Sequence, residues 1–216
     1  SPLPTQGMLQ FFILDDDLYG LNFDEPTKQE GFKVIYHEKV DYSATKESIE
    51  KNKDILESHK DIEYNLLEGE FKFSLHKSVD NITISDYRFD EIFSKAYKEV
   101  YGKDMDSKQN IYNVLSDEEY DRFNDELEKN EEVEKDDSPK GKFEVGKHKM
   151  LGYPYFTQSD PRFEEKLKVY STLLFQLDYE NDKVMWGDGG VGNFFIEMDS
   201  LLKKDFSKVL FNWDCY

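Results

Sequence analysis

The sequence is poor in cysteine and in positive charge, and each shortage excludes a class of protein. Cys215 is the one cysteine among 216 residues, so the chain cannot form an internal disulfide. Lys and Arg number 28 against 47 Asp and Glu, which gives a formal net charge of -19 at pH 7. This charge repels phosphate backbones and anionic lipid headgroups, so we predict no nucleic-acid partner and no membrane partner.

Signals for export and for membrane insertion are also missing. No apolar run approaches the roughly 20 residues that a membrane span needs. The chain opens with a proline-containing loop that has no signal-peptide pattern. We therefore predict a cytoplasmic protein, and the sequence carries no signal that fixes its oligomeric state.

Aromatic residues are abundant, with 17 Phe and 14 Tyr. Each aromatic side chain buries roughly 150–250 Å² when it packs inside a protein, so few side chains suffice for a core. This supply argues against disorder even though 35% of the residues are charged. The length fits one large domain, and we predict a single domain over residues 1–216.

The apolar pattern predicts a strand-rich α+β fold with a few peripheral helices. Runs rich in β-branched and aromatic residues predict strands at 8–13, 32–37, 70–76, 172–178, 184–186, 191–198 and 208–213. The first strand is apolar at nearly every position, so we expect it to be central and covered on both faces. The third predicted strand alternates polar and apolar residues, so one of its faces should be exposed to solvent.

Two helices are predicted, and the second opens an acidic excursion. Helical spacing predicts a helix at 86–101 and another that starts at Ser116 with a capping box to Glu119. Residues 42–60 are polar and predict a short helix or a solvated excursion. Residues 117–137 are intensely acidic and pass into the loop-forming residues 138–142, so we predict an acidic helix and linker excursion at 116–142 within the domain. The more specific alternative is that these acidic residues form a docking surface for a basic partner.

Two seven-residue segments of the chain echo each other. Residues 7–13 read G-M-L-Q-F-F-I and residues 190–196 read G-V-G-N-F-F-I. In both, a glycine leads into a predicted buried strand that acidic residues follow, so we predict two weakly duplicated halves. Leu-Gly-Tyr-Pro and Gln-Ser-Asp-Pro precede the second copy but have no counterpart before the first. We therefore expect that an N-terminal segment is missing.

Longer motifs in the last third of the chain carry a family resemblance. They read L-G-Y-P-Y-F-T-Q-S-D-P-R, L-L-F-Q-L-D, M-W-G-D-G-G-V-G-N-F-F-I and D-F-S-K-V-L-F-N-W-D-C-Y. Residues 146–216 resemble the C-terminal half of the YwqG-like family, a bacterial family of unknown function, and P-T-Q-G-M-L-Q-F-F-I resembles its first half more briefly. The resemblance implies one α/β domain with two duplicated halves around β-sheet. It implies no activity and no catalytic residues.

Residues with the pattern of an active site or a metal site are scarce. The four histidines lack metal-site spacing to one another and to Cys215, so we predict no metal and no cofactor, and no residue stands out as catalytic. Aromatic, carboxylate and amide side chains adjoin glycine turns at five candidate ligand-binding residues, Trp186, Asp188, Asn193, Gln158 and Asp160. In the structural alternative, Asp188 caps the turn, Asn193 and Gln158 satisfy backbone groups, and Trp186 fills the core.

Charge and motif content together favour a non-enzymatic interaction or binding protein. Its acidic face would bind a basic protein, and one specific version is an immunity-type inhibitor that masks the basic active site of a toxin. The alternative is a small-molecule-binding protein, or an enzyme, with a pocket near the Trp-Gly-Asp-Gly-Gly turn at 186–190.

Overall fold

The computed structural model of the protein describes residues 1–43, 45, 47, 66–67, 69–77, 80, 82–106, 108–122, 148–180 and 183–216. Within these residues the architecture is of the predicted α+β type, with two antiparallel sheets and a few short helices. No helix in the described ranges is long and apolar enough to cross a membrane.

The first sheet pairs β1 (Met8–Ile13) with β2 (Phe32–His37). Leu9, Phe11 and Ile13 alternate along β1, and all three pack against the core because alternate residues of a strand share one face. Both strands lie where the sequence predicted them.

The expectation that β1 is central and covered on both faces is wrong for the described residues. β1 pairs with a single strand, and Met8 and Phe12 on its outer face are 39% and 47% exposed. An apolar run indicates that a strand has apolar residues on both faces, but it does not indicate whether another part of the protein covers each face.

The second sheet has the order β3 (Thr172–Asp178), β4 (Val191–Ile196), β5 (Val209–Asp214). β4 is the central strand, and all six of its residues are buried. Its apolar residues face two separate clusters, because alternate side chains point to opposite sides of a sheet. Phe194 and Ile196 belong to the larger cluster, and Phe195 belongs to the smaller one.

Aromatic rings fill the space between the two sheets. Phe11 of β1 lies 4.8 Å from Phe175 and 5.1 Å from Phe194, measured between ring centroids. Phe32 of β2 lies 5.3 Å from Phe211 of β5. Phe11 and Phe194 occupy matching positions in the two echo segments, so the echoed strands meet across the core through the same residue type. The duplication itself stays a prediction.

The helices lie outside the two packed sheets. Helix α1 (Phe89–Tyr101) ends at Gly102, whose φ of 68° suits a residue without a Cβ, and α2 (Ile111–Val114) follows. Residues 117–122 are helical, and the predicted capping box is confirmed: the Glu119 amide donates to Ser116 Oγ, and Glu119 Oε2 accepts from the Ser116 amide. Two short 3-10 turns (Pro161–Phe163, Glu165–Leu167) precede β3, and α3 (Met198–Leu202) precedes β5.

Two predicted strands are absent from the described residues. Residues 70–76 have no strand partner and no helical structure, and Phe73 and Leu75 are 53% and 81% exposed. Residues 184–186 reduce to isolated bridges from Val184 to Leu67 and Glu180. The predicted excursion at 42–60 lies mostly outside the described residues, as does the acidic excursion beyond residue 122.

Candidate functional site

The glycine turn at 186–190 is closed by its own backbone. The amides of Gly189 and Gly190 both donate to the carbonyl of Trp186, at 3.0 and 2.8 Å. The Trp186 ring is 1% exposed, and its indole N–H donates to the Leu177 carbonyl at 2.8 Å. Trp186 therefore fills the core, as the structural alternative expected. Asp188 is exposed and makes no hydrogen bond to a described residue, so it does not cap the turn.

We name residues 155–162, which cross the outer face of the second sheet, the crossing segment. It contains the candidates Gln158 and Asp160 and accepts a hydrogen bond from the third, Asn193. Asn193 of β4 and Gln176 of β3 are cross-strand partners, and both side chains are fully buried. Gln176 Oε1 accepts from the Tyr155 amide at 2.8 Å, and Asn193 Nδ2 donates to the Tyr155 carbonyl at 2.9 Å. Two side-chain amides thus replace the backbone pairing that a neighbouring strand would provide.

Asp214 on β5 extends this row of anchors. Its carboxylate accepts from the Thr157 amide at 3.0 Å, the Thr157 hydroxyl at 2.7 Å and the Gln158 amide at 3.2 Å. Burial raises the pKa of Asp214, and these hydrogen bonds offset part of that rise. Gln158 Nε2 donates to the Cys215 carbonyl at 2.6 Å. Asn193 and Gln158 therefore do satisfy backbone groups.

Asp160 belongs to a buried ionic cluster that the sequence did not predict. Its Oδ1 accepts from the amide and Nε of Arg162, at 2.8 and 2.9 Å, and its Oδ2 lies 2.7 Å from Nη2 of the same arginine. Asp86 binds Arg88 in the same way, through the amide at 2.9 Å, Nε at 2.8 Å and Nη2 at 2.6 Å. Each aspartate thus clasps the arginine two residues later.

The two clasps are joined to each other. Arg162 Nη2 donates to Asp86 Oδ2 at 3.3 Å, and the Tyr87 amide donates to Asp160 Oδ2 at 3.0 Å. The guanidinium of Arg162 is 0% exposed and lies 4.1 Å from the centroid of the Phe195 ring, so the cluster sits directly on the sheet. We name this set of four side chains, Asp86, Arg88, Asp160 and Arg162, the double clasp.

Electrostatics favour the ionised states of Asp86 and Arg88 within the double clasp. Burial alone would raise the pKa of Asp86, but hydrogen bonds from Arg88 and the charge of Arg162 outweigh it and lower the pKa. The hydrogen bonds that Arg88 donates to the Asp86 carboxylate raise the pKa of Arg88. Two positive and two negative groups make the cluster neutral as a whole, which limits the cost of its burial.

A repeated motif could have revealed the double clasp. Residues 85–91 read S-D-Y-R-F-D-E and residues 159–165 read S-D-P-R-F-E-E. The two copies stand 74 positions apart (159 minus 85), and the structure brings them into contact. Sequence analysis based on hydrophobic periodicity does not detect such a pair, because the shared residues are mostly polar.

An open cavity of about 1030 Å³ lies elsewhere, between the first residues of the chain, β1 and β3. It is lined by none of the five predicted site residues. His148 stands on its wall, with Nδ1 accepting from the Asp178 amide at 3.1 Å and Nε2 at 3.0 Å from Glu180 Oε2. A ring nitrogen that accepts a hydrogen bond carries no proton, so the proton of the neutral ring is on Nε2 and is donated to Glu180.

The polar groups of the cavity are engaged with each other. Lys183 and, second to it, His148 donate hydrogen bonds to Glu180 and lower its pKa. His148 cannot accept a proton from a substrate unless one of its two bonds breaks, which disfavours a role as general base. In the part of the chain that the structure describes, no group of three His, Cys, Asp or Glu side chains is placed to hold a metal ion.

The fold and these contacts define a strand-rich α+β protein whose crossing segment is fixed by buried amide and ionic groups. The chain belongs to the family described as DUF1963, a domain of unknown function, which it matches over residues 1–215. No curated protein sequence matches it. The match agrees with the prediction of an uncharacterised family, and the YwqG-like resemblance stays a prediction. So does the ligand site near the glycine turn.

Proposed function

We propose that this protein works by binding a basic protein partner and not by catalysis. The net charge of -19 carries the proposal, because a charge of this size accelerates encounter with a cationic surface. An immunity-type inhibitor that covers the basic active site of a toxin is the specific form we favour, acting in the cytoplasm.

Exposed carboxylates along the start of the acidic excursion support this proposal. Asp117, Glu118 and Asp121 are exposed, and none makes an ion pair with another described residue. Some carboxylates elsewhere are neutralised by a lysine: Glu91 binds Lys95 at 2.6 Å and Glu165 binds Lys168 at 2.6 Å. Carboxylates without a cationic neighbour are the ones that contribute most to the field that attracts a basic surface.

The engagement of the polar groups also supports binding over catalysis. The carboxylates of the double clasp accept hydrogen bonds from its two arginines, and His148 uses both ring nitrogens. Active sites commonly keep a nucleophile or base available at a cavity wall. The hydrogen bonds of the double clasp and of His148 instead hold parts of the fold together.

Co-purification from the source cell at two salt concentrations tests the proposal. We expect a basic protein to be retained in about 0.05 M NaCl and released in about 0.5 M, since the screening length falls severalfold between them. The triple variant Asp117→Lys, Glu118→Lys, Asp121→Lys should slow association of the recovered partner.

A matched triple variant controls for overall charge. Glu91→Lys, Glu164→Lys and Glu165→Lys change the net charge equally, but these residues already pair with lysines. This control should slow association much less. Recovery of no basic partner at low salt would refute the proposal, and equal effects of the two variants would show that no acidic face is involved.

A further inference from the structure

The cavity between the first residues of the chain and β3 has walls that suit an apolar body. Leu9 and Phe11 of β1 form one side, and Phe175 of β3 adjoins them. Phe73 stands at the rim with 53% of its surface exposed, and Tyr179 with 40%. Large aromatic side chains left partly in water around a concave space gain from an apolar ligand that covers them.

The polar end of the cavity has an excess of negative charge. Asp178 and Glu180 line it together with His148 and Lys149. Lys149 lies 2.9 Å from Asp80, and Lys183 binds Glu180. Three carboxylates and two ammonium groups therefore meet here, which leaves a formal charge of -1 in a protein whose total is -19.

The donors at this end are largely occupied. Lys149 Nζ donates to Asp80 Oδ2 at 2.9 Å and to the Tyr153 carbonyl at 3.1 Å, and the Nε2 proton of His148 is donated to Glu180. An anionic ligand would have to compete for these donors. A cation meets carboxylate oxygens and the faces of aromatic rings, both of which attract positive charge.

We propose that this cavity binds an organic cation with an aromatic or aliphatic body, in which the body lies against Phe73 and Phe175 and the charge faces Asp178 and Glu180. This inference goes beyond the proposed function and does not depend on it, because it concerns a small ligand and a different part of the molecule from the acidic excursion. A volume of about 1030 Å³ accommodates a ligand of drug-like size.

Three indole compounds that differ in one group test the charge preference. Tryptamine is cationic, tryptophol neutral and indole-3-acetate anionic, and all share one aromatic body. In calorimetric titrations of the full chain we expect tryptamine to bind about tenfold more tightly than tryptophol, as one partly desolvated charge contact allows. Indole-3-acetate should bind most weakly. Absence of binding by all three, or equal affinity for all three, would overturn the proposal.

Variants locate the site. Phe73→Ala removes an exposed ring and should weaken both tryptamine and tryptophol, whereas Asp178→Asn should reduce the preference for tryptamine and leave tryptophol nearly unchanged. Asp188→Asn removes one exposed carboxylate at the glycine turn and should change neither. If Asp188→Asn abolishes binding while Phe73→Ala and Asp178→Asn do not, the ligand binds at the turn and the proposal is wrong. Circular dichroism of each variant verifies that the fold is kept.

Discussion

Replacement of Arg162 by Met tests whether the double clasp holds the crossing segment to the sheet. Arg162 is 0% exposed, and its guanidinium donates to both Asp160 and Asp86. Methionine retains an unbranched apolar side chain among the Tyr87 and Phe195 rings. The substitution therefore removes the charge with little loss of packing.

The expected loss of stability follows from the burial of the carboxylates left behind. Without Arg162, Asp160 stays buried and retains as hydrogen-bond donors the amides of Tyr87 and residue 162. Removal of one partner from a buried ion pair typically costs about 3–5 kcal/mol, because the remaining charge is uncompensated. A domain of ordinary stability, about 5–15 kcal/mol, would lose a large part of its margin.

Urea unfolding followed by circular dichroism measures this loss. Lys95→Met is the matched control, because Lys95 Nζ lies 2.6 Å from Glu91 Oε1, as close as the buried pair, but both side chains are about 70% exposed. We expect no measurable change in the free energy of unfolding for Lys95→Met. The double variant Arg162→Met, Asp160→Asn should lose less than the sum of the two single losses.

A small effect would refute the reasoning. If Arg162→Met lowers the free energy of unfolding by less than about 1 kcal/mol, burial does not make this pair stronger than a surface pair. Additive losses in the double variant would show that Asp160 and Arg162 do not stabilise each other.

Three further predictions concern pH, a glycine and a buried amide. The pKa of Asp86 is lowered, so Asp86 stabilises the fold above pH 3.8, its ordinary pKa, and this stabilisation is lost as the pH falls through the folded-state pKa. The pKa of Asp214 is raised, so its contribution to stability is present below pH 3.8 and is lost as the pH rises through the folded-state pKa. Replacing either by Asn should remove the corresponding slope from a plot of unfolding free energy against pH; an unchanged slope would contradict the assignment. Gly192→Ala places a methyl group against the buried indole of Trp186 and should lower the free energy of unfolding by about 1–3 kcal/mol. In the control Gly102→Ala the methyl group meets nothing within 4 Å, so the loss should be about 1 kcal/mol, from the φ of 68° alone. A larger loss for Gly102→Ala than for Gly192→Ala in urea unfolding would be contrary evidence. Gln176→Leu leaves the Tyr155 amide without its acceptor and should cost about 1–3 kcal/mol, and hydrogen exchange at that amide should accelerate.

The strands that form the two sheets were the most predictable part of the fold. β3 runs from Thr172 to Asp178, as predicted, and β5 lies within one residue of its predicted bounds. Each face of β3 and β5 packs against its own cluster of buried residues. Burial on both faces requires apolar residues at nearly every position, and such a run is visible in the sequence.

Residues 70–76 show where pattern alone fails. Their alternation of polar and apolar residues is as regular as that of a strand, but strand formation requires a neighbour for backbone hydrogen bonding. Alternation reports only that a segment has two different faces. It holds no information about a partner that is distant along the chain.

The sequence singled out polar residues near the glycine turns but did not distinguish the roles that these residues could have. Gln158 and Asp160 lie in the crossing segment and Asn193 of β4 binds it, yet each of the three binds groups of the protein itself. Buried amides and carboxylates near glycine turns have the same composition whether they bind a ligand or the backbone. Only the position of the opposing chain distinguishes these cases.

The double clasp also shows why two nearly identical segments take unequal positions. Tyr87 and Pro161 occupy the same place between Asp and Arg in the two copies. The Tyr87 amide donates to Asp160, but Pro161 has no N–H with which to return that bond to Asp86. Asp86 Oδ2 accepts instead from the guanidinium of Arg162, which draws Arg162 into the centre of the cluster. Arg88 has no such second aspartate among its hydrogen-bond partners, and its side chain stays 27% exposed. The two copies therefore differ both in the residue between Asp and Arg and in the burial of their arginines.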